Sequence, residues 1–209
     1  TLETGSSDAV VNYASGSGGT TLTFNYTVAS GHVSADLDYV STSALALNSG
    51  SINDGAGNAA TLTLASPGAT NSLGASKALV VDTVLPTVAS VSSTKSDGAY
   101  KVDDVIPITV TFSESVTVTG TPQLTLETGS SDAVVNYTSG SGSSVLTFNY
   151  TVASGQTSSD LDYVATSSLA LNSGTINDVA GNAATLTLAS PGATNSLGAN
   201  KALIIDTTL

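Results

Sequence analysis

The stretch that decides the fold is Leu146-Thr147-Phe148-Asn149-Tyr150-Thr151-Val152, in which large apolar residues alternate with small polar ones. Successive side chains of a β-strand point to opposite faces, so this pattern predicts a strand with one buried and one solvated face. Residues 22–28 have the identical sequence. In the second copy we expect four side chains to point into a core: Leu146, Phe148, Tyr150 and Val152.

The identity of these two stretches is part of a much longer repeat. Residues 1–85 recur as residues 125–209 without insertion or deletion, and 70 of the 85 aligned residues are identical. Self-similarity over a fixed period is typical of repeat architectures. Because a catalyst needs one site, while copying a whole domain multiplies length or valency, the repeat favours a non-enzymatic role.

The rest of the chain also predicts short strands, bounded by Gly, Asn, Asp, Ser and Pro. Val105 to Phe112 alternates clearly, Ser113-Glu114-Ser115 predicts a turn, and no segment has a convincing helical period. Asp36 and Asp38 are also expected on a strand. Strands at this spacing predict an all-β fold of β-sandwich domains in tandem. We place a partial repeat at residues 1–82 and a complete repeat at residues 83–209.

The partial repeat lacks some of the strands that the complete repeat contains. It has no counterpart of residues 82–124, so residues 1–82 alone would leave a sheet edge and half of a core open. The missing strands would come from a neighbouring repeat of the same chain or from another molecule, which would make the protein a strand-donating filament subunit. We favour the same chain, where the effective concentration is high.

The composition narrows the classes of partner. Sixteen acidic residues stand against four basic ones, giving a net charge of −12, and Cys, Met and Trp are absent. Such a chain should repel nucleic acid and anionic membranes and attract cations. It has no thiolate for catalysis or for zinc, and no apolar run long enough to insert into a bilayer.

Three segments together resemble a known family. They are Val81-Asp82-Thr83 with Pro86, the stretch from Val105 through Phe112 to Glu114, and Ile176-Asn177-Asp178-Val179-Ala180-Gly181-Asn182. In this order they are similar to bacterial Ig-like repeats, including the extender domains of large RTX-type cell-surface adhesins. The resemblance implies Ig-like Greek-key β-sandwiches, stiffened by calcium, that hold a binding tip away from the cell surface. It also implies secretion and a role in adhesion or biofilm. The near-identity of the two copies departs from that family.

Several acidic residues are candidate calcium ligands, because hard cations take oxygen atoms from Asp, Glu, Asn and carbonyl groups. Asp54 and Asn58 lie in one predicted loop, and the second copy repeats them as Asp178 and Asn182. The alternative to a calcium site in each loop is an Asx-turn, in which the side chains only satisfy local N–H groups. Glu114 and the acids that end each copy are expected to converge on a junction cation, with solvated loop acids as the alternative. The full set is Asp54, Asn58, Asp178, Asn182, Glu114, Asp82 and Asp206.

Asp36 and Asp38, repeated as Asp160 and Asp162, form a second set two residues apart. On a strand both would share one face, where they repel each other unless a cation bridges them. A solvated face and a glycosidase acid pair are the alternatives, and catalysis is disfavoured because the chain has neither Trp nor Arg to bind a sugar. The same lack counts against a carbohydrate- or receptor-binding module.

The single histidine is a poor candidate for catalysis. His32 is replaced by Gln156 in the other copy. A catalytic or zinc-binding histidine is not expected to be exchanged for glutamine in a domain otherwise copied, so the pattern argues against Ser-His-Asp chemistry and a zinc site.

Overall fold

The computed structural model describes residues 1–208, and its fold class is all-β, as predicted. The chain forms two compact units, unit 1 from Thr1 to Val84 and unit 2 from Leu85 onwards. The division lies two residues beyond the one expected from the sequence. Unit 1 has little regular structure, namely β1 (Tyr13–Ser15), β2 (Thr23–Phe24) and the helical turn α1 (Leu73–Ser76).

The described part of unit 2, residues 85–208, contains ten strands and one helical turn. In chain order these are β3 (Val88–Ser93), β4 (Gly98–Tyr100), β5 (Val105–Thr119), β6 (Gln123–Leu126), β7 (Ala133–Ser139), β8 (Ser143–Thr151), β9 (Thr157–Ser158), β10 (Leu169–Ala170), β11 (Thr175–Asn177), α2 (Leu197–Asn200) and β12 (Leu203–Asp206).

Two sheets organise unit 2. The larger has the order β10-β6-β7-β8-β5-β11, all antiparallel, and β3 also pairs with β5. The smaller has the order β4-β12-β9, with β12 parallel to β4. Because β5 pairs with three other strands, it is the central element of the unit. The finer Ig-like Greek-key topology stays a prediction.

The core of unit 2 forms where β5 pairs with β8. Ile106 lies opposite Tyr150, and Ile108 lies opposite Phe148. The expected inward face is confirmed, since four apolar side chains of β8 and of the residue directly after it are at most 2% exposed: Leu146, Phe148, Tyr150 and Val152. Burial of such large apolar side chains is the main favourable term in the stability of the unit.

The turn predicted at Ser113-Glu114-Ser115 is wrong. β5 continues through these residues to Thr119, and its register against β8 breaks between Thr111 and Val116. Beyond the break Val116 pairs again with Ser143 of β8, and Thr117–Thr119 pair with β11, so long-range pairing overrides the local preference of serine for turns. Glu114 consequently follows the alternation of the inward-facing residues and is half-buried, while Ser113 and Ser115 are exposed.

The strand predicted at residues 22–28 is largely wrong for unit 1. Only Thr23–Phe24 forms a strand, and Phe24 and Val28 are 39% and 50% exposed, although their counterparts Phe148 and Val152 are buried. The sequence of these segments is identical, so the difference is one of pairing. The partner of β8 is β5, and β5 belongs to a segment that occurs once in the sequence.

Two short helical turns occur, although no segment of the sequence has a convincing helical period. In α1 the hydroxyl of Ser72 accepts a hydrogen bond from the N–H of Ala75 at 3.1 Å, and in α2 Ser196 caps Ala199 at 3.2 Å. A serine at this position satisfies an N–H group that the first turn leaves without a partner. The cap, rather than an apolar period, is the local signal for these turns.

The hairpin between β7 and β8 offers a matched pair of glycine substitutions. Gly140 has a φ of 111°, and a Cβ there would lie 2.1 Å from the carbonyl oxygen of Val145. Gly142 has a φ of 84° with open space around it. We expect Gly142→Ala to cost about 1–2 kcal/mol from backbone strain alone, and Gly140→Ala to cost clearly more because the hairpin must open. Urea unfolding of both variants checks this, and equal losses would contradict the hairpin geometry.

Candidate metal centre

Two carboxylates of unit 2 meet beside the second half of β5. One carboxylate oxygen of Glu114 lies within 4.8 Å of one from Asp178. Glu114 belongs to β5, and Asp178 directly follows β11, which pairs with β5 at Thr117–Thr119. The pairing of two strands distant in sequence therefore brings these acids together.

The loop that carries Asp178 is held by hydrogen bonds to Asn182. Oδ1 of Asp178 accepts the backbone N–H of Asn182 at 2.8 Å, and Oδ2 accepts its side-chain amide at 2.7 Å. Asp178 is only 5% exposed. Local hydrogen bonding of this kind is what the Asx-turn alternative predicts, and it fixes the direction of the carboxylate.

The equivalent loop of unit 1 has the same geometry in a more open setting. Asp54 accepts the backbone N–H and the side-chain amide of Asn58, both at 2.8 Å, and its side chain is exposed. The hydrogen bond from the Asn58 side chain lowers the pKa of Asp54. Glu114 belongs to the segment that occurs once in the sequence, so residues 1–85 contain no counterpart of it.

The spacing of Glu114 and Asp178 suits a divalent cation. Calcium binds oxygen at about 2.4 Å, so two oxygens on one ion lie at most about 4.8 Å apart. A carboxylate oxygen that accepts one hydrogen bond keeps a second lone pair for an ion. An all-oxygen set of this kind fits calcium or magnesium better than zinc or copper.

The polypeptide enters unit 2 beside this acidic pair. The N–H of Ser113, next to Glu114, donates to the carbonyl of Thr87 at 2.8 Å, and the N–H of Thr87 donates to the Ser113 hydroxyl at 3.0 Å. The N–H of Thr185 donates to the carbonyl of Pro86 at 2.8 Å. The first residues of unit 2 are thus anchored beside Glu114, in the second half of β5.

The last strand of unit 2 lies near Val105, the first residue of β5. Asp206, the last residue of β12, pairs with Thr157, which follows the end of β8. That end of β8 lies against Val105, the first residue of β5. Asp206 is therefore not part of the Glu114–Asp178 pair; its carboxylate accepts hydrogen bonds from Thr208, whose side chain lowers the pKa of Asp206.

Asp82 is the counterpart of Asp206 and belongs to unit 1. It is half-buried, and its Oδ1 accepts the N–H of Val84 at 2.9 Å. Its participation in a junction cation stays a prediction.

Asp36 and Asp38 do not lie on a strand, contrary to expectation, and neither do Asp160 and Asp162. Asp36 and Asp160 lie in bends, and Asp38 and Asp162 follow them in irregular backbone. Even so, each pair shares one side. A Cβ at Gly74 would lie 3.0 Å from Oδ2 of Asp38 and 3.4 Å from Oδ2 of Asp36, and Gly198 repeats this arrangement.

The second aspartate of each pair, Asp38 or Asp162, accepts hydrogen bonds that join two loops. Asp38 accepts the N–H groups of Tyr39 at 2.9 Å and Gly68 at 3.0 Å, and Asp162 accepts the matching groups of Tyr163 and Gly192. This geometry supports a structural role. That these acids bind a cation stays a prediction.

Asp38 should make the stability of unit 1 depend on pH. Burial raises the pKa of Asp38, but hydrogen bonds from Gly68 and Tyr39 outweigh it and hold the pKa below its ordinary value of 3.8. Its contribution is therefore complete above pH 3.8 and is lost as the pH falls through the lowered value. We expect the difference in unfolding free energy between wild type and Asp38→Asn to shrink below that pH in acid unfolding series. A difference independent of pH would contradict this role.

His32 and its counterpart Gln156 have the same structural role as hydrogen-bond acceptors. Nδ1 of His32 lies 2.8 Å from the Tyr26 hydroxyl and accepts the N–H of Ala29 at 3.3 Å. Oε1 of Gln156 accepts the hydroxyl of Tyr150 and the N–H of Ala153, both at 2.8 Å. The exchange between copies preserves an acceptor for the same two donors.

Comparison with known proteins identifies no relative of this chain. No protein-family model matches the sequence, and no match was found among curated proteins or solved structures. The resemblance to adhesin repeats therefore stays a prediction. Among residues 1–208, no helix is long and apolar enough to cross a membrane.

Proposed function

We propose that this chain is a non-enzymatic, calcium-stiffened spacer repeat of a secreted bacterial adhesin or surface filament. The observation that carries the proposal is the path of the chain through unit 2. The chain enters beside Glu114 and leaves at the opposite end of β5, near Val105. A domain with its termini at opposite ends extends a string of copies, which is what a stalk needs.

The length gained per domain follows from strand geometry. The stretch from Ile106 to Phe112 separates the two ends, and at about 3.4 Å per residue it spans about 20 Å. Near-identical copies joined in this way add length without adding a new site. The 70 identities among 85 aligned residues fit such a use.

A cation at the entry point would stiffen the repeat. Glu114 and Asp178 carry two negative charges within 4.8 Å in a protein of net charge −12. Their repulsion loosens the loop after β11 unless an ion bridges them. Calcium bound here would tie that loop to β5 where the chain enters unit 2.

Isothermal titration calorimetry with calcium chloride tests the proposal. We expect binding by the wild-type chain, and its loss in the double variant Glu114→Gln, Asp178→Asn. Asp54→Asn is the matched control and should leave that binding in place, while Asp82→Asn reports whether the residue before unit 2 takes part. Absence of calcium binding by the wild type would overturn the calcium part of the proposal.

A glycan array separates the stalk from the carbohydrate-binding alternative. The stalk proposal expects no glycan to be retained by residues 1–209. Retention of a defined glycan, competed by the same free sugar, would favour a binding module instead.

A further inference from the structure

The surface of unit 1 contains a groove that has no equivalent in unit 2. Its volume is about 950 Å³, and its walls include Leu22, Phe24, Tyr26 and Tyr13. In unit 2 the counterparts of the first three are buried and lie in the strand that pairs edge to edge with β5, with Val110 opposite Leu146, Ile108 opposite Phe148 and Ile106 opposite Tyr150. The complete copy therefore shows what fills this position.

The walls of the groove already have the conformation of the filled copy. Tyr13 and Phe24 meet edge to face at 6.1 Å and 74°, the same values as for Tyr137 and Phe148. The hydroxyl of Tyr13 accepts the N–H of Ser17 at 2.7 Å, as Tyr137 accepts that of Ser141 at 2.8 Å. A preformed site loses little conformational entropy when it is occupied.

The start of unit 1 is also in place to continue such a segment. The nitrogen of Thr1 donates to the carbonyl of Ala44 at 3.0 Å, and its counterpart Thr125 donates to Ser168 at 3.0 Å. Thr125 is bonded to Leu124, the last residue of the segment that contains β5. A segment joined to Thr1 would run from there into the groove.

We infer that the groove is the docking site for a β-strand segment with the sequence of residues 86–124, supplied by a further copy of the repeat joined to Thr1. By the register of unit 2, its Ile106, Ile108 and Val110 would pair beside Tyr26, Phe24 and Leu22 and complete the sheet at this edge. A second molecule of this chain is a poorer donor, because it would have to withdraw β5 from the core of its own unit 2. The inference is independent of calcium binding.

Hydrogen exchange followed by mass spectrometry tests this on residues 1–209 and on the same chain with residues 86–124 fused ahead of Thr1. Residues 22–28 and 146–152 have identical sequences, so their intrinsic exchange rates are alike and any difference reports structure. Peptides from the two copies are distinguished by Thr20-Thr21 against Ser144-Val145. In residues 1–209 we expect 22–28 to exchange at least about tenfold faster than 146–152.

In the fusion, residues 22–28 should become as protected as 146–152. A control fusion that carries Ile108→Ser and Val110→Ser in the added segment should restore fast exchange at 22–28. Unchanged fast exchange in the fusion, with 146–152 still protected, would overturn the inference. Equal protection of both segments in monomeric 1–209 would overturn it too, as would protection that appears only in concentration-dependent oligomers, which would identify a second molecule as the occupant.

Discussion

Phe148→Ala is expected to lower the unfolding free energy of unit 2 by about 3–5 kcal/mol. The ring is fully buried, lies opposite Ile108 in the paired strand and contacts Tyr137 edge to face. Truncation removes its buried apolar surface and leaves a cavity that packed neighbours fill only in part. The same change in unit 1, Phe24→Ala, should cost far less, because that ring is 39% exposed.

Phe148→Ala and Phe24→Ala together separate the effect of local sequence on stability from the effect of burial, since residues 22–28 and 146–152 are identical. Thr147→Ala on the solvated face of β8 is the second control and should cost little. Urea unfolding monitored by hydrogen exchange resolves the two units. Equal losses for Phe148→Ala and Thr147→Ala would show that the strand phase is wrong, and equal losses for Phe148→Ala and Phe24→Ala would show that the groove of unit 1 is closed.

Glu114→Gln is expected to change the stability of unit 2 in opposite directions with and without calcium. In EGTA it removes the repulsion between two carboxylates within 4.8 Å and should stabilise the unit by about 1 kcal/mol at a water-like dielectric. In calcium at roughly 100 times its dissociation constant it removes a ligand and should forfeit about 2.7 kcal/mol of linked stability.

The control for this reversal is the equivalent loop of unit 1. Asp54→Asn alters the same Asx-turn without a neighbouring Glu114 counterpart, so its effect on unfolding should be the same in EGTA and in calcium. If Glu114→Gln shifted the unfolding free energy equally in both conditions, the pair would be a structural feature of the sheet end rather than a cation site.

The inward face of β8 could be predicted because strand alternation is a local property of the sequence. Whether that strand forms is not local, as residues 22–28 demonstrate with the same seven residues. The turn expected at Ser113-Glu114-Ser115 failed for the related reason that β11, more than fifty residues later, continues the pairing of β5.

The candidate site could be predicted only in pieces. The sequence predicts ligands in the oxygen-rich loop from Asp178 to Asn182 and at Glu114, but it does not predict that Glu114 and Asp178 approach each other. Their approach depends on the register of β11 against β5, which sequence alone does not give. The alternation from Ile106 to Phe112, extended by two residues, indicates the inward phase of Glu114.

Differential scanning calorimetry of residues 1–209 in EGTA and in calcium tests the central claim most directly. Calcium that binds the folded form of unit 2 and not the unfolded chain must raise its melting temperature, in proportion to the logarithm of the free ion concentration once the site is saturated. We predict such a rise for the transition of unit 2 and its absence in the double variant Glu114→Gln, Asp178→Asn. An unchanged melting temperature of the wild-type unit 2 would contradict the account of this chain as a calcium-stiffened repeat.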